Sequence, residues 1–122
     1  AKLLGSKVTI VTATEAFPFP TGVAAWHVTA DDITRYQAES KKTAEELLAS
    51  IKAIAERMGI VADTVHVPDA RGAAAILATA QEAGCNLIVM ASHGRRGVKR
   101  LLLGSQAAEV VANSPVPVLI VK

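Results

Sequence analysis

Residues 87–122 read LIVMASHGRRGVKRLLLGSQAAEVVANSPVPVLIVK, and this stretch decides the fold. It opens on the apolar run Leu87–Met90 and closes on a second one, Val116–Val121. Between them lie a glycine-punctuated basic loop and a short helical segment, Ser105–Ala112. Short, wholly apolar runs are the mark of strands buried on both faces. Asn113 and Pro115 stop the helix, and Pro115 and Pro117 are tolerable at the start of a strand. A strand, a helix and a strand in that order imply a parallel pair joined by a right-handed crossover.

Moving back along the chain, Gly72–Ala83 is an alanine-rich helix with Ile76, Leu77 and Ala80 inward, ended by Gly84. Val61–Val67 alternates in part and reads as a short strand near an edge, closed by Pro68. The long helix before it is capped by Thr29, carries Asp31 and Asp32 in its first turn and gives out at Gly59. Ala44, Leu47, Leu48, Ile51, Ile54, Ala55 and Met58 recur at helical spacing and predict one core face. Phe17–Trp26, with Pro18, Pro20 and Gly22, reads as a surface loop. Lys7–Thr14 (KVTIVTAT) predicts a strand buried on both faces, and Ala1–Leu4 with Gly5 reads as the last turn of a helix and its cap. The whole alternates strand and helix, which gives an open, mainly parallel α/β sheet with helices on both faces.

At 122 residues the chain suits a single domain, residues 1–122, with one core. Hydrophobic residues make up 51% and aromatics only 3%, so aliphatic side chains must form that core. A net charge of +2 is too small for the broad basic face a nucleic-acid binder needs, so nucleic acid is not the expected partner. The apolar runs are far too short to cross a membrane, and no secretory signal is visible, so a cytoplasmic protein is expected. The one cysteine, Cys85, excludes an internal disulfide and is expected to be a buried, inert thiol.

The chemistry concentrates in the loop after Met90. Glycine lets a backbone approach an anion closely, and amides at a helix N-terminus offer unpaired donors with a partial positive charge. Gly94 and the pair Gly104-Ser105 are two such places, able to hold one phosphate chain from two sides. The Ser105 hydroxyl either adds a hydrogen bond to that phosphate or caps the helix. Arg95, Arg96, Lys99 and Arg100 add positive charge, as phosphate ligands or as a solvated loop. His93 has no acid or nucleophile partner in the sequence, so a catalytic role is not expected of it.

Residues 87–122 resemble the C-terminal half of a universal stress protein domain. Members of that family that bind ATP carry Gly, two residues, Gly, nine residues, Gly and then Ser or Thr. Here Gly94 is followed by nine residues and then Gly104 and Ser105, while Ala91 stands at the first glycine. The likeness extends more weakly through Val8–Thr14, the long helix and the EAGCNLIVM approach to the loop. It implies a Rossmann-like fold of the adenine nucleotide alpha hydrolase type and ATP, with or without Mg2+, as cofactor. The ATP site it implies comprises Ala13, Met90, Ala91, His93, Gly94, Arg95, Gly104, Ser105 and Gln106, with Ala13 touching adenine through its backbone. It also implies a further strand and helix ahead of Ala1, the strand ending in an aspartate that helps hold the ribose. ATP binding by residues 1–122 alone is therefore expected to be weaker than with that unit present. The expected function is ATP-dependent regulation in the stress response rather than catalysis. The alternative is a stress-associated interaction module of the same fold that binds no nucleotide. Because Val116–Val121 is an apolar edge, a homodimer through it is expected, and the resemblance implies the same.

Overall fold

A computed structural model of the chain describes residues 6–92 and 103–121. Strands and helices alternate as expected: β1 (Val8–Ala13), α1 (Ala30–Arg57), β2 (Ala62–Val67), α2 (Gly72–Glu82), β3 (Ile88–Ala91), α3 (Ser105–Asn113) and β4 (Val118–Val121). Both strand pairings are parallel, β1 with β2 and β3 with β4, so the class is α/β with parallel strands. The chain divides into two compact units between Arg71 and Gly72. The helix turn expected at Ala1–Leu4 and the basic residues Arg95, Arg96, Lys99 and Arg100 lie outside the described residues.

In the first unit β1 and β2 run in register from Val8↔Ala62 to Ala13↔Val67, and α1 packs against both. The start of α1 is fixed locally. The Thr29 hydroxyl accepts from Asp32 N at 3.1 Å and the Asp32 carboxylate accepts from Thr29 N at 2.9 Å, a reciprocal capping box. Gly59, at φ +75°, supplies the left-handed turn after its end.

Only part of the apolar face of α1 is covered. Ala44 and Leu48 are buried, whereas Ile51, Ile54 and Met58, expected in the core, are 37%, 48% and 58% exposed. Packing on β1 and β2 buries Ala44 and Leu48 and half-buries Ala55, and leaves Ile51, Ile54 and Met58 open. With a partner strand on one edge only among the described residues, β1 is half-buried along its whole length rather than buried on both faces. The loop expected over Phe17–Trp26 contains a 3-10 helix at Gly22–His27, and the Phe17 ring packs edge-on to Phe19 and Tyr36.

In the second unit β3 and β4 run in register from Ile88↔Val118 to Ala91↔Val121, with α2 packed on α3. Ala73, Ile88 and Val110 form the buried centre, and Ile76, Leu77, Ala80, Met90, Val116 and Val118 pack around it. Strand alternation sends Val89, Leu119 and Val121 to the other face, where they are exposed. Cys85 is half-buried and makes no disulfide.

Candidate phosphate-binding site

Ser92 N–H donates to Val121 O at 3.0 Å, which extends the β3–β4 ladder one residue beyond Ala91. The chain leaves β3 there and returns at Gly104, whose N–H donates to Ser92 O at 2.8 Å. That bond pins the N-terminus of α3 at the carboxyl end of β3, where ligands of parallel sheets sit. The first rung of α3 joins Ala108 N–H to Gly104 O at 2.9 Å, so the N–H groups of Ser105 and Gln106 stand ahead of the helical ladder. Gly104 is the N-cap residue and supplies no side-chain bond, and Ser105 is the first helical residue rather than the cap. The Ser105 hydroxyl therefore does not cap α3. Both Ser105 and Gln106 are exposed.

Ala91 occupies the last position of β3, and among the described residues Asp69 is the only non-glycine at positive φ. A side chain at position 91 therefore carries no backbone strain. Gly104 has φ −63° and ψ 158°, an extended conformation open to any residue. The glycine there is not needed for the fold. Met90 turns its side chain into the core of the second unit. Gln106 is engaged within the protein: its Oε1 accepts from Ala73 N at 2.7 Å. His93, Gly94 and Arg95 lie outside the described residues.

Ala13 belongs to the first unit. Thr14 N–H donates to Val67 O at 3.1 Å and Thr14 O accepts from Ala70 N at 3.1 Å, so both backbone groups of Thr14 face β2. Successive residues of a strand face opposite edges, and the N–H and C=O of Ala13 therefore point to the edge away from β2. Among the described residues no strand pairs with β1 there.

The sequence did not disclose a second feature of the first unit. At the carboxyl ends of β1 and β2 lies an open cavity of about 530 Å³, lined among others by Thr14, Tyr36, Ser40, His66 and Asp69. Thr14 Oγ1 and His66 Nε2 are 2.8 Å apart across it, and Tyr36 Oη donates to Glu15 O at 3.1 Å. These partners are far apart in sequence, and neither lies in a recognisable motif.

The model of the Universal stress protein family matches residues 1–122, the whole chain. The chain belongs to the universal stress protein family. A universal stress protein of Methanocaldococcus jannaschii is 37% identical over 84 residues, which are 67% of this chain and 48% of that protein. One of Bacillus subtilis is 37% identical over 90 residues, 74% of this chain and 60% of the relative. The chain thus spans about half of the length of these family members. Among solved structures, the M. jannaschii protein MJ0577 superimposes with a TM-score of 0.75 at 24% identity, over 95% of this chain and 75% of its own. The universal stress protein of Archaeoglobus fulgidus does so with a TM-score of 0.64 at 21% identity, over 99% and 80%. These likenesses establish the Rossmann-like universal stress protein fold. No helix among the described residues is long and apolar enough to cross a membrane.

Proposed function

We propose that this universal stress protein is a cytoplasmic, ATP-binding regulatory protein whose output is a change of conformation or assembly rather than a chemical step. The observation that carries the proposal is the start of α3: exposed, without a side-chain cap, and tied to the carboxyl end of β3 by the 2.8 Å bond from Gly104 to Ser92. Backbone donors in that position, with the helix dipole behind them, suit a phosphate. The backbone at Ala91 supports the same reading, because alanine ends β3 there without a positive φ. Among the described residues no strand takes up the N–H and C=O of Ala13, which are turned from β2 and suit an adenine edge. Each of these features, taken within its own unit, suits one part of an ATP molecule. Ala91, Gly94, Gly104 and Ser105 would hold the phosphates, Ala13 the base, and His93 and Arg95 would flank them, with Mg2+ as counter-ion. The family's association with stress supports regulation rather than catalysis. Isothermal titration with ATP tests the proposal, which expects saturable binding, and no heat up to millimolar ATP would count against it.

Assembly is proposed to run through β4. Its only partner among the described residues is β3, and Leu119 and Val121 are 54% and 51% exposed beside Val89. A second copy pairing about a two-fold axis covers both the open edge and these side chains. Light scattering is expected to give a dimer for the wild type and a folded monomer for Leu119→Lys. A monomeric wild type at micromolar concentration would refute the interface.

A further inference from the structure

Helix α2 begins at Gly72 directly after Arg71, whose side chain has no acceptor atom. Its first N–H groups need partners from elsewhere, as in any helix. One comes from 33 positions away: Gln106 Oε1 accepts from Ala73 N at 2.7 Å, in a partly buried contact. The carboxamide lies close over the start of α2, and a Cβ at Gly72 would meet Gln106 Oε1 at 3.4 Å. Ala73 itself is fully buried in the core of the unit. Gln106 also stands in the first turn of α3, directly after Ser105. One side chain therefore serves the N-terminus of one helix while its own backbone N–H belongs to the open N-terminus of another.

We propose that Gln106 is a positioning residue that clamps the phosphate cradle of α3 to the N-terminus of α2, so that anion binding at Gly104-Ser105 and order in the first turn of α2 are coupled. The coupling rests on the phosphate reading given above; the clamp does not. An anion on the α3 amides holds the turn that carries Gln106, and a held Gln106 keeps its oxygen on Ala73 N–H. By linkage the reverse also holds: losing the clamp loosens the cradle and weakens anion binding.

Two variants of residues 1–122 test this, Gln106→Ala and Gln106→Glu, read by thermal unfolding, by ATP titration and by hydrogen exchange of the Ala73 amide. Gln106→Ala leaves the Ala73 N–H without its acceptor. Its Tm is expected to fall by about 3–6 °C, and Ala73 exchange to become faster. Gln106→Glu keeps an acceptor and places a carboxylate at a helix N-terminus, so its Tm is expected to stay near the wild type. Its negative charge beside the cradle should nevertheless weaken ATP binding by about tenfold. In the wild type, saturating ATP is expected to slow Ala73 exchange, and in Gln106→Ala to leave it unchanged. Unaltered Tm and Ala73 exchange in Gln106→Ala would overturn the clamp. ATP binding that protects Ala73 equally in wild type and Gln106→Ala would overturn the coupling. A wild type that binds no ATP would overturn the phosphate reading and the coupling with it, while the Tm and exchange data still decide the clamp.

Discussion

The three α-helices among the described residues start in three different ways. Helix α1 is closed by its own residues, with Thr29 and Asp32 exchanging hydrogen bonds across three positions. Helix α2 borrows an acceptor from Gln106, in another helix. Helix α3 begins at a glycine that supplies no side-chain bond. A helix N-terminus is an anion site only where the protein has not already used its donors. By that measure α1 is a poor candidate in spite of its length, and α3, the shortest of the three, is the best.

The largest effect is expected where that difference is removed. Gly104→Val places a branched side chain where phosphate is proposed to approach the backbone, and ATP affinity is expected to fall by about 100-fold or more. Because Gly104 is extended rather than left-handed, the variant should remain folded by circular dichroism. Normal ATP binding by folded Gly104→Val would show that α3 is not the cradle. Thr29→Ala is the opposite experiment. It opens the box at α1 and should cost about 1 kcal/mol in chemical denaturation, with ATP affinity unchanged.

Titration sharpens the contrast further. Asp32 is held below its ordinary pKa of 3.8, first by the backbone N–H of Thr29, then by the Thr29 hydroxyl, with a smaller contribution from Arg35. These bonds favour the charged form, so their stabilisation is complete above pH 3.8 and is lost as the pH falls through the lower value in the folded protein. Asp32→Asn should flatten this part of the stability profile below pH 3.8, and a profile unchanged by that substitution would contradict the box. The smallest effect is expected at position 91. Since Ala91 ends a strand without positive φ, Ala91→Gly should alter ATP affinity by less than about threefold.

Much of this was legible in the residues because its causes are local. Thr29 and Asp32 announce the start of α1, Gly59 its end, and the runs around Val89 and Leu119 their strands. The proposed phosphate site was suggested by a glycine spacing, but whether Ser105 caps α3 was not legible, because that depends on backbone angles at Gly104. What escaped was set by partners distant in the chain. The exposure of Ile51, Ile54 and Met58 depends on which elements pack against α1, which helical periodicity does not encode. Gln106 looked like a ligand residue beside Ser105, and its bond to Ala73 could be seen only once α2 and α3 were packed. The Thr14–His66 contact likewise depends on the parallel pairing of β1 and β2.

The start of α3, and not that of α1, is proposed to receive the phosphates. The most direct measurement is an amide NMR titration of isotope-labelled protein with ATP. Saturable shifts are expected at Ser105 and Gln106, with Thr29 and Asp32 unmoved. Shifts confined to the first turn of α1, or saturable ATP binding that leaves Ser105 and Gln106 unmoved, would contradict the proposal.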